Sequence, residues 1–271
     1  FASVLRHRWI GKETKIKAVT VSFTDIEGKF HMLDYDKDYI LEADDNLTFD
    51  GSSVKGFTHV AESDLRLKLD WSSFYWLPSD IFGPGKVMIF AEVYTSDGKP
   101  HPSDFRSRLR EYTRKLYESN KYLVMAANEI EGILVQGLDA EINFDEEQGF
   151  KLASSGGYYH SLPLDKLRMF IDSTAEAHRA LGFENEKDHP EVAPSQFELN
   201  YKASLVEIAA DQVQLYKLAA RQVAEIQGMT ATFLPKPLVG VNGNGMHTNI
   251  SIEKDNKNIF YEKNGEVHLS P

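Results

Sequence analysis

Three short stretches carry side chains able to hold a hard cation: Glu129-Ile130-Glu131, Glu191-Val192-Ala193-Pro194-Ser195-Gln196-Phe197-Glu198, and Asn242-Gly243-Asn244-Gly245-Met246-His247. In an extended strand, residues two apart point the same way, roughly 7 Å apart at Cα. Glu129 and Glu131 therefore project together, between Met125 and the apolar run Ile133, Leu134, Val135. Paired carboxylates in such a setting are unfavourable unless a cation neutralises them. Oxygen donors with one or two imidazoles suit Mg2+ or Mn2+, whereas zinc more often takes cysteine or several histidines. The residue types thus point to a multi-carboxylate divalent-metal site. Glu191 and Glu198 would face opposite sides of a straight strand, but Pro194 fixes its own φ and moves Ala193 out of the helical region. A bend there brings the two carboxylates to one side. In the third stretch His247, Asn249 and Ser251 share one strand face, and Thr248, Ile250 and Ile252 are expected to form its apolar backing. The glycines before His247 permit close backbone approach to a ligand. No Gly-Lys-Ser/Thr follows, so the loop is not a phosphate-binding P-loop. Taken singly, each stretch also fits a structural role: an exposed edge strand, a kinked loop, a satisfied histidine.

Elements that could position these groups follow from periodicity. Val19, Val21 and Phe23 alternate before Asp25-Ile26-Glu27-Gly28, and Val87 to Val93 precede Ser96-Asp97-Gly98, which predicts hairpins in a small, mostly β N-terminal domain. Pro100 and Pro102 mark a junction. Ser103 is the expected cap of a helix whose stripe is Phe105, Leu109, Tyr112 and Leu116; its Arg106, Arg108, Arg110, Arg114 and Lys115 read as a solvated face. The Glu129 strand follows, then a hairpin through Asp139 to Phe150 and a turn at Gly156-Gly157-Tyr158. Helices are predicted over Leu164 to Leu181, ended by Gly182, and along Val206, Ala209, Val213, Tyr216, Ala220 and Val223, ended by Gly228. Strands and helices mix without a βαβ repeat, so the class is α+β. The domains are placed at 1–101 and 102–271. No internal repeat or low-complexity stretch occurs.

Composition sets limits on function. The chain has 271 residues, 42% hydrophobic and 11% aromatic, enough for a sizeable core. A formal charge of −11 with no concentrated basic face argues against nucleic-acid partners. The absence of cysteine excludes a thiolate nucleophile and fits a reducing compartment. No run approaches the roughly 18 apolar residues of a membrane span, and no signal peptide is recognisable, so a cytoplasmic location is expected.

Together with Phe49-Asp50-Gly51-Ser52-Ser53, Glu62-Ser63-Asp64 and Thr232-Phe233-Leu234-Pro235-Lys236-Pro237, the three stretches stand in the order seen in type I glutamine synthetases. The chain resembles that family from about residue 15 to its last residue. The resemblance implies a β-grasp N-terminal domain and a catalytic domain with antiparallel sheet and flanking helices. It implies ligation of ammonia to glutamate with ATP as co-substrate, through γ-glutamyl phosphate. Two or more Mg2+ or Mn2+ ions per site are implied: Glu131, Glu191 and Glu198 resemble ligands of one, Glu129 and His247 ligands of the other. Asp50 matches an ammonium-binding, deprotonating aspartate. Asn242, Gly243 and His189 match positions at the glutamate and its neighbours, and Glu186, Asn249 and Ser251 match nucleotide-contacting positions. A dodecamer of two hexameric rings is implied, with active sites between subunits and no membrane partner.

Three departures sit beside the ligands: Gly132 replaces the usual aromatic, Pro190 the usual histidine and Ser195 the usual glycine. The family also continues beyond the point matching Pro271, with further metal, arginine and flap residues, so the chain as written is expected to be incomplete for activity. Two alternatives stand beside the synthetase: a γ-glutamyl-amine ligase using another amine, and a catalytically silent structural or regulatory family member.

Overall fold

The computed structural model describes residues 2–43 and 46–270, and the chain divides into two compact units, Phe1–Tyr122 and Leu123–Pro271. The first contains, in order, α1 (Ala2–Lys12), β1 (Ala18–Thr24), β2 (Phe30–Asp36), α2 (Lys37–Ala43), β3 (Leu47–Asp50), β4 (Asp64–Trp76), α3 (Ser79–Phe82), β5 (Lys86–Tyr94) and α4 (Phe105–Asn120). Its sheet has the order β2-β1-β5-β4-β3. The hairpin expectation holds for β1 and β2, and after the Val87 run the chain folds back across the Ser96-Asp97-Gly98 turn into a short antiparallel bridge, Tyr94 to Pro100, while β5 itself lies parallel to β1 and antiparallel to β4. A parallel pair needs a long crossover, and the intervening elements supply it. Alternating Val19, Val21, Phe23, Leu65, Leu67, Val87, Ile89 and Val93 form the core, closed by Ile10 of α1 and Ile40 of α2. Helix α1 has no counterpart in the sequence expectations, because Ile10 is its one apolar side chain shown to be fully buried and leaves no stripe to read.

Helix α4 corrects two expectations. Its cap is Asp104, not Ser103, with Oδ1 accepting from the Arg106 N–H and Oδ2 from the Val93 N–H. Nor is its basic face wholly solvated. Arg106 and Arg110 both reach Asp70 Oδ2, at 2.8 and 2.9 Å, and Arg110 also reaches Glu92 Oε1 at 2.7 Å. The expected apolar stripe stays at the surface, with Phe105 and Tyr112 exposed.

The second unit is built on one long strand, β6 (Leu123–Gln136), followed by α5 (Lys166–Ala180), β7 (Asn185–Pro190), β8 (Gln196–Tyr201), β9 (Ser204–Leu205), α6 (Val206–Ile226), β10 (Met229–Thr232), β11 (Met246–Lys254) and β12 (Lys257–Asn258). The sheet order is β12-β11-β6-β8-β7, with β9 and β10 also pairing with β6, all antiparallel. The hairpin expected from Asp139 to Phe150 is absent: the segment forms turns, and Val135 bridges Leu152 instead. Helices α5 and α6 lie where periodicity placed them and pack on β6, β7, β8 and β10 through Phe170, Ile171, Leu215, Tyr216 and Ala220. Thr248 and Ile250, expected as buried backing, are exposed on β11, which no helix of the described residues packs against closely. Among the described residues no helix is long and apolar enough to cross a membrane.

Candidate metal and substrate site

Register assembles the site. Directly opposed residues of an antiparallel pair share a face, and the pairings put His247 opposite Glu129, Glu129 opposite Asn200, Glu131 opposite Glu198, and Glu198 opposite His189. Two cross-strand rows result: His247, Glu129 and Asn200; then Glu131, Glu198 and His189. In the first row, Glu129 Oε2 lies 3.2 Å from His247 Nδ1, and its Oε1 accepts from Asn249 Nδ2 at 3.1 Å. In the second, Glu131 Oε2 accepts from Gln196 Nε2 at 2.9 Å and from the Gly245 N–H at 3.0 Å. Glu198 Oε1 accepts from Asn200 Nδ2 at 2.7 Å.

Glu191 joins the second row through the bend anticipated at Pro194. The turn is completed by Ser195 at φ +58°, a left-handed conformation that non-glycine residues rarely adopt. Its buried hydroxyl accepts from the Ser154 N–H at 2.8 Å and donates to the Ser154 carbonyl at 3.0 Å, clasping a neighbouring loop. His189, Glu191 and Glu198 thereby each offer a donor atom within 4.8 Å of one another. Burial, then the adjacent Glu198 and Glu131 carboxylates, push the Glu191 carboxyl up to about 7 against the pull of the Val192 N–H.

This donor set fits a divalent cation. Carboxylates crowded enough to oppose one another's ionisation are stabilised by a cation between them. His189 Nε2 is also buried without a hydrogen-bond partner, an arrangement native proteins seldom leave unexplained.

The other anticipated positions divide. The Gly243 carbonyl accepts from Gln196 Nε2 at 2.9 Å, and a Cβ on Gly243 would sit 2.5 Å from the Pro235 carbonyl, so only glycine fits. Asn242 and Glu186 are exposed, Glu186 at a register shift in β7, and Ser251 of β11 opposes Met125 of β6. Asp50, in the first unit, caps a 3-10 turn and accepts from Ser52 N, Ser52 Oγ and Ser53 Oγ at 2.9, 2.6 and 2.8 Å. Those bonds, the Ser52 side chain first, lower its pKa and keep it ionised.

Several contributors escaped sequence reasoning. Gln196 and Asn200 flank Glu198 at period two, a signal available to be read. Tyr158 and Tyr159 stack at 3.8 Å, and Tyr159 stands edge to face with His189 at 4.6 Å; no spacing announces that contact. On the helical side, Tyr216 of α6 donates to the Ile130 carbonyl at 2.9 Å, the peptide between Glu129 and Glu131.

Known families match this arrangement along most of the chain: the glutamine synthetase β-grasp domain over residues 15–96 and the glutamine synthetase catalytic domain over residues 102–271. The chain belongs to the glutamine synthetase family. Relatives named glutamine synthetase are 36% identical over 260 residues in Thermotoga maritima, 37% over 263 in Methanosarcina mazei and 34% over 267 in Thermus thermophilus, each covering 96% of this chain. The chain spans only 57 to 58% of those relatives' lengths. A solved GmaS/ADP complex superposes with TM-score 0.81 at 25% identity, over 97% of this chain and 59% of that one. A Plasmodium falciparum glutamine synthetase superposes with TM-score 0.85 at 23% identity, over 99% and 57%. The glutamine synthetase fold, β-grasp domain plus catalytic domain, is thus common to all of them.

Proposed function

We propose that the intact protein is a glutamate–ammonia ligase, joining ammonia to the γ-carboxylate of glutamate at the expense of ATP. The single observation that carries this reading is the pair of carboxylate rows across β11, β6, β8 and β7, in a chain of this family. The glutamate γ-carboxylate attacks the terminal phosphorus of ATP, the bond to the bridging oxygen breaks, and ADP leaves. Ammonia then attacks the acyl carbon and phosphate departs with a carboxylate oxygen. Glu131, Glu191 and Glu198 hold one divalent ion, and Glu129 with His247 holds a second. Such ions, when bound, neutralise charge where two anions must meet.

The chain's own groups do the remaining work. Gln196 and the Gly245 N–H orient Glu131, and Asn249 orients Glu129. Asp50, exposed and ionised, suits an ammonium ion, which it binds and deprotonates. Asn242, Gly243 and His189 serve the glutamate side; Glu186, Asn249 and Ser251 serve the nucleotide, in keeping with the ADP bound in the GmaS complex. Assembly as a dodecamer and residence in the cytoplasm belong to the same reading.

The test is phosphate release by the intact protein with ATP, Mg2+ or Mn2+, glutamate and ammonium. Release that depends on both glutamate and ammonium supports the synthetase. A panel of alkylamines in place of ammonium separates it from a γ-glutamyl-amine ligase, and no release with any amine contradicts both.

A further inference from the structure

The loop at 242–245 is gripped through one of its own side chains. Asn244 reaches two other segments at once. Its Nδ2 donates to the Leu234 carbonyl at 2.8 Å, its backbone N–H to the Pro235 carbonyl at 2.8 Å, and its Oδ1 accepts from Gln196 Nε2 at 2.9 Å. Neither amide can be turned over. A flip of Asn244 would set its oxygen against the Leu234 carbonyl, and Gln196 Oε1 already accepts from the Ala193 N–H at 3.0 Å. Gln196 is fully buried, and its amide is oversubscribed. Nε2 lies 2.9 Å from each of three acceptors, Glu131 Oε2, the Gly243 carbonyl and Asn244 Oδ1. A carboxamide carries only two hydrogens, so one acceptor is unpaired at any instant. Glu131 Oε2 has a second donor in the Gly245 N–H at 3.0 Å, which makes it the acceptor that can best spare the amide. The two hydrogens then go to Gly243 and Asn244, adjacent residues of the loop.

We propose that Asn244 is a positioning residue for glutamate: its carboxamide clamps the loop 242–245 between Gln196 on β8 and Leu234 after β10. The clamp fixes Asn242 and the Gly243 backbone, the groups that serve the glutamate side in the proposed reaction. The link to glutamate rests on that reading; the clamp is loop geometry and is tested without turnover. An asparagine with a merely structural role would lower stability without singling out glutamate.

The experiment is Asn244→Ala in the intact protein. Hydrogen exchange, measured without metal, nucleotide or glutamate, should quicken about tenfold at residues 242–246, the equivalent of one hydrogen bond, and stay unchanged in α5 and α6. Calorimetric titration with glutamate should show affinity falling about tenfold. In steady-state assays KM for glutamate should rise by a similar factor while kcat and KM for ATP change much less. Gln196→Met, which keeps the length but has no donor, should quicken exchange at the same residues. In wild type the Asn244 amide should exchange more slowly than an open loop allows, a reading that survives if neither variant folds. Unchanged exchange in Asn244→Ala, an open-loop rate in wild type, or a fall in kcat with glutamate affinity unmoved would overturn the proposal. Faster exchange with weaker glutamate binding in a protein without ligase activity leaves the clamp standing and sinks only the proposed reaction. Ligase activity with glutamate affinity unmoved in the variant does the reverse.

Discussion

Ser195 shows how one residue serves both backbone and side chain. Its left-handed backbone carries a strain that glycine would not, while its hydroxyl satisfies both the N–H and the carbonyl of Ser154. Ser195→Ala keeps the strain and strips both bonds, and a buried unpaired amide costs about 1–3 kcal/mol. Ser195→Gly strips the same bonds but relieves roughly 1 kcal/mol or more of strain. Urea unfolding should therefore rank wild type above Ser195→Gly and Ser195→Gly above Ser195→Ala; equal losses would mean the turn is not strained. A second residue-scale prediction concerns His178, fully buried between Tyr201 and Tyr216, where burial depresses its pKa to about 3 despite the Tyr216 carbonyl. Its ordinary value is 6.5, so the unfolded chain binds the extra proton between about 6.5 and 3. The stability from keeping His178 neutral is full above pH 6.5 and is lost as pH falls through that window, at up to ~1.4 kcal/mol per unit. Denaturant midpoints at pH 7 and pH 5 should converge more in His178→Gln than in wild type. At this scale the sequence announced the carboxylates and His247, whose types speak for themselves. It could not announce His189 as their neighbour, because that depends on the register between β7 and β8.

At the scale of elements, the strand pairs explain a departure that looks anomalous in isolation. Gly132 opposes Phe197 across β6 and β8, and a Cβ on Gly132 would lie 2.4 Å from Phe197 Cζ. The ring from the neighbouring strand occupies the space that a larger side chain at position 132 would need. Gly132→Ala should destabilise by about 1–3 kcal/mol through overpacking. Combined with Phe197→Leu the penalty should shrink; thermal melting of the single and double variants checks the coupling, and additive losses would contradict it. The network tying α4 to β4 and β5 offers a fourth test. Asp70 is pushed up by burial but pulled further down by Ser72, Arg106 and Arg110, so it stays ionised. Asp70→Asn leaves two arginines short of a carboxylate and should cost about 3 kcal/mol, with little relief from salt because the Arg106 side chain is only 11% exposed. Helices α5 and α6 were legible because their apolar stripes are what they bury. Helix α4 misled because it anchors through Asp104 and arginines while Phe105 and Tyr112 stay outside, and charge pairing leaves no periodic signature.

For the whole molecule, the acidic balance and the ordered motifs spoke for a cation-dependent enzyme of this family, and the two family domains cover most of the chain. The topology of the β-grasp unit was less legible, since the parallel β1–β5 pairing joins segments more than 60 residues apart. The reaction itself is a property of the intact protein, and its signature is the fate of one oxygen atom. Glutamate labelled with 18O in the γ-carboxylate should be incubated with the intact protein, ATP, Mn2+ and ammonium, and the released phosphate examined by mass spectrometry. Attack of the carboxylate on phosphorus predicts that each phosphate formed with glutamine carries one oxygen from glutamate. Phosphate released without the label, or independently of glutamate, would contradict the account.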